Sequence, residues 1–538
     1  MPSPTMSGPH AVAAAVRPPA PVGDVPAALG RELAKVSAHS GVFFAGTLFT
    51  AGAGYLFKLY TARVLGAEML GLYALGLSLV SLLGVVGSLG LGGAATRFVA
   101  AYAGTGRLDL LRGFLVRGLG TLAVVSLGLG VALALGGGWI AERVYQAPAL
   151  ADYVWLFAAM LPISVVSGFL GQVLGGYQAI ATRTVLTSFV SVSLTIGLSV
   201  AALSRGWGLR GYLVAQLVSA LVTLALVARA VWRASPAGTW DREGTRPWPD
   251  RRVVAFAGSM MAISGLEFLL GQWDRVALGI YLDATAVGIY TVAATTVGFI
   301  PVLLQSVNSI FAPIIAAAHA RGDRLLLAAL FRTLTKWTFA LTLPFAAVVV
   351  LWAPTIMGLF GEEFRSGSAI LVAGTLGQLA NCGAGSVGYM LIMSGHQGAL
   401  VRVQVLVGVA SALAYMVVAP VWGLSGVAIA AAISMTAANL LYLAAVRRLL
   451  GLLPYDPSYR RLIGPLLATM AASVGFRWMT GESPQPALVL IAAVGVAYAV
   501  FIATAIPRAL DAQERRLLGQ VGGSVARVVR RLGGTEGQ

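Results

Sequence analysis

Charge is what this chain of 538 residues has least of: Asp, Glu, Lys and Arg together make up 11%, against about 25% in soluble globular proteins. With 58% hydrophobic residues and a mean hydropathy of +0.84, it has too few polar groups to cover its own surface. That excludes a water-soluble globule and leaves lipid as the solvent. Cysteine is nearly missing too. Cys382 stands alone, so no internal disulfide can form and nothing implies an oxidising compartment. Motifs that carry chemistry are also missing: there is no Walker A loop, no metal-ligand spacing, no nucleophile elbow and no D-x-D pair. The longest loop, Arg233–Arg252, is no longer than one membrane span, so no catalytic domain fits between helices. An enzyme is not expected, and neither is a cofactor or a resident metal. The net charge of +17 does not imply nucleic acid, because the basic residues follow the membrane topology.

What the chain does have is apolar runs. A bilayer core of about 30 Å needs about 20 helical residues per crossing, and by that measure about fourteen segments lie between residues 41 and 507. Only helices or closed barrels satisfy the backbone in lipid, and these runs are too long for barrel strands. The expected fold is all-α and polytopic. Basic residues set the orientation. With the N-terminus in the cytoplasm, the outer loops hold only Arg63, Arg143, Arg205, Arg210, Arg365 and Arg477 of the 37 Lys and Arg. Both termini are therefore expected in the cytoplasm, and the location is a bacterial cytoplasmic (inner) membrane.

The domain reading follows. Residues 1–40 form a disordered, then amphipathic, cytoplasmic leader. Residues 41–232 form a six-helix bundle, 233–253 a cytoplasmic linker, and 254–446 a second six-helix bundle. Two further transmembrane helices occupy 447–507. A basic tail, 508–538, either lies on the anionic leaflet or is a solvated helix that obeys the charge rule.

The two bundles repeat each other. Leu65-Gly-Ala-Glu-Met-Leu-Gly71-Leu-Tyr73 recurs as Leu282-Asp-Ala-Thr-Ala-Val-Gly288-Ile-Tyr290, a shift of 217. Gly176-Tyr-Gln178 recurs as Gly395-His-Gln397, and Trp207-Gly-Leu-Arg-Gly211 as Trp422-Gly-Leu-Ser-Gly426. Six helices per copy is an even number, so both copies enter the membrane from the same side. This is a parallel repeat about an axis along the membrane normal, an arrangement found in transporters.

Four ionisable residues fall inside expected spans: Lys58, Glu267, Asp274 and Arg275. Each costs about 2.5–3.5 kcal/mol at a helix centre, and intramembrane charge commonly marks a transport path. The repeat shift carries Lys58 to position 275, so each half contributes one cation at a matching site. Lys58 and Arg275 are candidate substrate-binding residues, facing each other in a water-filled cavity that attracts phosphate or another anion. Glu267 and Asp274, seven apart, share one helix face and are candidates for a coupling H+ or Na+. The alternative is structural: Asp274 pairs with Lys58, and Glu267 with another polar group, tying the halves together. Pro301 in mid-helix kinks it; with Gln305 and Asn308 it forms either a hinge beside the cavity or a packing kink with satisfied amides.

Arg63-Val-Leu-Gly-Ala-Glu-Met-Leu-Gly71-Leu-Tyr73, Gly90-Leu-Gly and Arg97-Phe-Val-Ala resemble the opening of Wzx-type polysaccharide (oligosaccharide) flippases. Val287-Gly-Ile-Tyr290 and Leu359-Phe-Gly-Glu-Glu-Phe364 are similar to their second half. These flippases belong to the multidrug/oligosaccharidyl-lipid/polysaccharide exporter superfamily, and the resemblance covers about residues 40–505. It implies two six-helix bundles plus two helices working by alternating access. The implied substrate is an undecaprenyl-diphosphate-linked oligosaccharide, moved from inner to outer leaflet for cell-surface polysaccharide biosynthesis. The family's cationic cavity maps onto Lys58 and Arg275, with few other deep charges. A cation-coupled multidrug exporter of the same fold is the competing expectation. A scaffold role leaves the paired intramembrane cations without an explanation.

Overall fold

The computed structural model describes residues 25–240, 251–481 and 485–509, and every regular element among them is helical. In chain order they are α1 (Val25–Ser88), α2 (Leu91–Gly104), α3 (Leu108–Trp139), α4 (Val154–Gly176), α5 (Ile180–Thr184), α6 (Ser191–Ser204), α7 (Gly208–Ala234), α8 (Arg251–Gly271) and α9 (Trp273–Tyr281). There follow α10 (Ala284–Val297), α11 (Val302–Ala320), α12 (Arg324–Leu351), α13 (Ala353–Gly358), α14 (Ser368–Ala384), α15 (Val387–Met393), α16 (Gln397–Leu450), α17 (Ile463–Thr480) and α18 (Pro486–Ala509). The first 24 residues of the leader, residues 241–250 of the linker and the tail beyond 509 lie outside the described residues.

Ten of these helices are long and apolar enough to cross a membrane, or up to twelve when each of two bent pairs counts as one span. The chain is a polytopic membrane protein. Two of the candidates are too long for one crossing. Phe49–Ser88 and Gln397–Leu450 have 40 and 54 residues, so at 1.5 Å per residue they run about 60 and 81 Å, at least twice a bilayer core. Each is interrupted by one glycine outside the helical region, Gly66 (φ 77°, ψ 175°) and Gly423 (φ 56°, ψ −143°). A side chain disfavours positive φ, which is why glycine sits at each break. The expected fourteen spans match this count only when both helices are divided there.

The pairing of elements repeats as the sequence does. In the first half α4 packs on α7; in the second, α14 packs on the latter part of α16. The helices outside the repeat, α17 and α18, pack on each other and on α12, where the Tyr498 hydroxyl donates to the Leu341 carbonyl at 2.8 Å.

The halves meet at two crossings. In the first, Gly71 lies against the Ala284 carbonyl, and Gly288 lies against the Ala67 carbonyl. Ala67 and Gly71 become Ala284 and Gly288 under the repeat shift, so the two copies of one motif grip each other reciprocally. A Cβ at Gly71 would stand 1.6 Å from that oxygen, and one at Gly288 1.9 Å, so only glycine permits the approach. The second crossing lies about 28 Å further along the chain's helical path. There Gly90 (φ 67°) abuts the Ala257 carbonyl and Met261 amide, and Gly93 abuts Met260. The two halves are thus in close contact at both ends of this stretch.

Further contacts from the second half cap the first crossing. The Ala67 amide, freed by the break at Gly66, donates to Glu363 Oε1 at 2.8 Å, and Arg63 Nε donates to the Leu359 carbonyl at 2.6 Å. The Leu359–Phe364 motif is therefore a clamp between halves.

Candidate functional site

Three of the sequence-derived residues come together near the first crossing. Lys58 lies eight residues before the Gly66 break and Arg275 six before the end of α9, placing both about 9–12 Å from that end of the bundle. Lys58 Nζ donates to Thr295 Oγ1 of the other half at 2.6 Å, and that hydroxyl donates onward to the Thr291 carbonyl. Arg275 is carried by α9, which packs on α1, the helix of Lys58.

Arg275 sits where its helix breaks. α8 ends at Gly271, Gln272 leaves the helical path (φ −134°), and α9 resumes at Trp273. Arg275 Nη1 bridges this gap, donating to the Gly271 carbonyl at 2.9 Å and to Gln272 Oε1 at 2.7 Å. The carboxylate of Asp274 is occupied elsewhere. Its Oδ1 accepts the Arg275 amide at 2.8 Å and its Oδ2 accepts the Tyr290 hydroxyl at 2.9 Å. Only a long contact of 3.8 Å links it to Arg275 Nη1. The expected alternative pairing of Asp274 with Lys58 is not what forms: Lys58 finds a neutral hydroxyl, and Asp274 a phenol and a backbone amide. Two cations and one carboxylate leave the locality positive.

Asp274 and Arg275 line a cavity of about 440 Å³ within the second half, walled by α8, α9, α10, α14 and α16. Its polar lining includes Tyr290, Gln378, Asn381, Ser411, Tyr415 and Asn439. The first half builds a neutral counterpart: Tyr73, the repeat partner of Tyr290, exchanges hydrogen bonds with Gln216 and stacks edge-on with Tyr212 at 5.2 Å. Sequence reasoning quoted Tyr290 inside the repeat but gave it no role. The other uncharged polar residues carry no signal in apolar helices.

The remaining candidates lie apart from the cavity lining. Glu267 is exposed on α8, about 11 Å of helix from Asp274. Pro301 does not lie in mid-helix: α10 ends at Val297 and α11 begins at Val302, the two bent by 45°. Proline lacks an amide and disfavours helix in the residue before it, so Phe299 and Ile300 make tight turn bonds to Thr296 and Val297 instead. Gln305 is exposed. Asn308 is buried and accepts from the Ser386 hydroxyl, tying this break to the second bent pair at Gly385–Ser386. Among the described residues no cluster of three metal-ligating side chains occurs.

Against known proteins, residues 37–319, more than half of the chain, match the family described as polysaccharide biosynthesis protein. The chain belongs to this family. Its fold is shared with solved structures of low sequence identity. The lipid II flippase MurJ in an inward closed conformation is 12% identical, with a TM-score of 0.69, over 86% of this chain and 97% of that one. An inward-facing multidrug resistance MATE family transporter of the MOP superfamily is 17% identical, with a TM-score of 0.59, over 75% and 94%. A MOP superfamily transporter from Pyrococcus furiosus is 16% identical, with a TM-score of 0.52, over 77% and 95%. No curated protein matches the chain significantly in sequence.

Proposed function

We propose that the chain translocates a diphosphate-linked, polyprenyl-anchored oligosaccharide from the inner to the outer leaflet of a bacterial cytoplasmic membrane by alternating access. One observation carries this reading: a cation from each half, Lys58 on α1 and Arg275 on α9, is carried by helices that pack on each other near the first glycine crossing. Like charges held close destabilise each other until an anion is shared between them, and a diphosphate supplies that charge with a geometry suited to guanidinium. The polyprenyl tail stays in lipid while the head passes. Opening the first crossing exposes the site to one face, and opening the second exposes it to the other. With basic loops inside, the first faces outward, the second inward, and both termini are cytoplasmic. The protein performs no covalent chemistry.

Asp274 is the proposed coupling site for H+ or Na+, because its carboxylate lines the cavity and reports to Tyr290, Arg275 and Tyr415; Glu267 is exposed and remote. The carboxylate of Asp274 in the wall of the second-half cavity favours a second reading, a cation-coupled multidrug exporter. The test is export of surface polymer in cells whose only copy carries Arg275→Ala. Loss of polymer with normal insertion is expected. Normal export rejects the cationic site, and drug sensitivity with intact surface glycan favours the exporter.

A further inference from the structure

A second basic site lies at the opposite end of the bundle from Lys58 and Arg275. A cavity of about 620 Å³ is lined by Arg97 and Phe98 on α2, Arg107 beside the start of α3, and Arg252 and Phe256 on α8. No acidic residue contributes to its wall. Arg97 stacks its guanidinium over the Phe256 ring at 4.7 Å from the centroid, with Phe98 at 5.8 Å. Stacking fixes the plane of the group and leaves its N–H edge unused. Among the described residues, neither the Arg97 nor the Arg107 side chain makes a hydrogen bond or ion pair. Further along α3 and outside the cavity lining, Arg112 buries its Nε and Nη1 without a partner. Arg97 and Arg107 therefore bring two guanidinium groups to a wall that offers them no carboxylate.

We infer that this cavity is a phosphate-binding site at the membrane surface, straddling the seam between the two halves. The ligand is the phosphate or diphosphate of a membrane amphiphile, or the same group free in solution. The guanidinium edges take the oxygens as paired charge-assisted bonds, and the Phe98 and Phe256 rings offer an apolar wall to whatever the phosphate is attached to. The site also has a mechanical consequence. Arg97 lies one turn beyond Gly93, and Phe256 is adjacent to Ala257, both of which form the second crossing. A ligand holding α2 and α8 together therefore favours the closed form of that crossing, and separation of the two helices divides the site. The inference deepens the proposed transport cycle by adding a docking step at the inner face, and it rests on that reading only for which face this is.

The experiment uses the full chain in phosphatidylcholine nanodiscs. Binding is measured by thermal-shift titration with inorganic pyrophosphate. Retained lipid is counted by native mass spectrometry after reconstitution with phosphatidylglycerol. At least one probe is expected to bind the wild type. Arg97→Gln with Arg107→Gln is expected to weaken that binding tenfold or more, and raised salt likewise. Pyrophosphate binding alone identifies a free phosphate, and phosphatidylglycerol retention alone a lipid headgroup. Arg107→Gln by itself, at an exposed helix start, keeps the fold if the double variant loses it, and is expected to weaken binding severalfold. Absence of binding by either probe, or unchanged binding in these variants, overturns the inference. Arg275→Ala is expected to bind as the wild type does, so failure of the transport reading shows in export and leaves this binding intact.

Discussion

Substituting Gly288 with alanine puts a methyl group 1.9 Å from the Ala67 carbonyl. A relaxed carbon–oxygen contact is about 3.3–3.6 Å, so the helices must part by roughly 1.4–1.7 Å or turn past each other. Backbone carbonyls on both sides leave no flexible side chain to yield. Overpacking of this kind costs about 1–3 kcal/mol. The cost falls on the state in which the first crossing is shut and vanishes where α1 and α10 have separated, so the equilibrium shifts toward the outward-open form by about 5–150-fold. The measurement uses a Cys382→Ala background, which removes the single native thiol, and a reporter cysteine at Ala294, beside the Lys58 contact. An impermeant thiol reagent added from the outer face is expected to react faster in Gly288→Ala by a factor in that range. Gly71→Ala should act alike, since it meets Ala284 in the mirror arrangement, and Gly93→Val should slow the reaction by straining the opposite crossing. An unchanged or slower rate in Gly288→Ala refutes the assignment of this contact as the outer closure.

Thr295→Val removes the hydroxyl that accepts from Lys58 Nζ and leaves a poorly solvated ammonium without a partner; about 1–3 kcal/mol of stability should be lost, read as a lower thermal midpoint, while Thr295→Ser should restore it. Asp274→Asn keeps an acceptor but removes the charge that receives the Tyr290 hydroxyl and the Arg275 amide; a loss of about 1.5–3 kcal/mol is expected, together with transport that no longer responds to the coupling-ion gradient in vesicles. Glu363→Ala uncaps the Ala67 amide at about the cost of a helix N-cap, 0.5–2 kcal/mol, and should raise the same thiol reactivity by less than the glycine variants do.

Much of this architecture was legible in the chain because its two strongest signals are one-dimensional. Apolar run length marks helices, and the 217-residue shift between Leu65–Tyr73 and Leu282–Tyr290 marks the two halves. The shift also pairs Lys58 with Arg275, and the structure brings both near the same end of the bundle. What the residues concealed is which partner each charge takes. Lys58 is satisfied by Thr295, a residue with no distinguishing pattern, and Asp274 is held by Tyr290 through a contact between helices that no spacing reveals. Pro301 was visible as a breaker, yet only packing decides that the break becomes a turn between two helices. Glu267 looked equivalent to Asp274 by heptad spacing, but the break at Gly271–Gln272 interrupts the helix between them, and shared register no longer means shared surroundings.

The mutual grip of Ala67–Gly71 and Ala284–Gly288 is the kind of contact two identical subunits make around a dyad. Here it has the geometry of a homodimer interface inside a single polypeptide. Joined in one chain, the copies can differ where symmetry would forbid it: one has the acid Asp274 where the other has Phe57. The surface through which the halves meet belongs to the halves themselves and not to the linker between them, so two separately expressed halves have what they need to find one another in a bilayer.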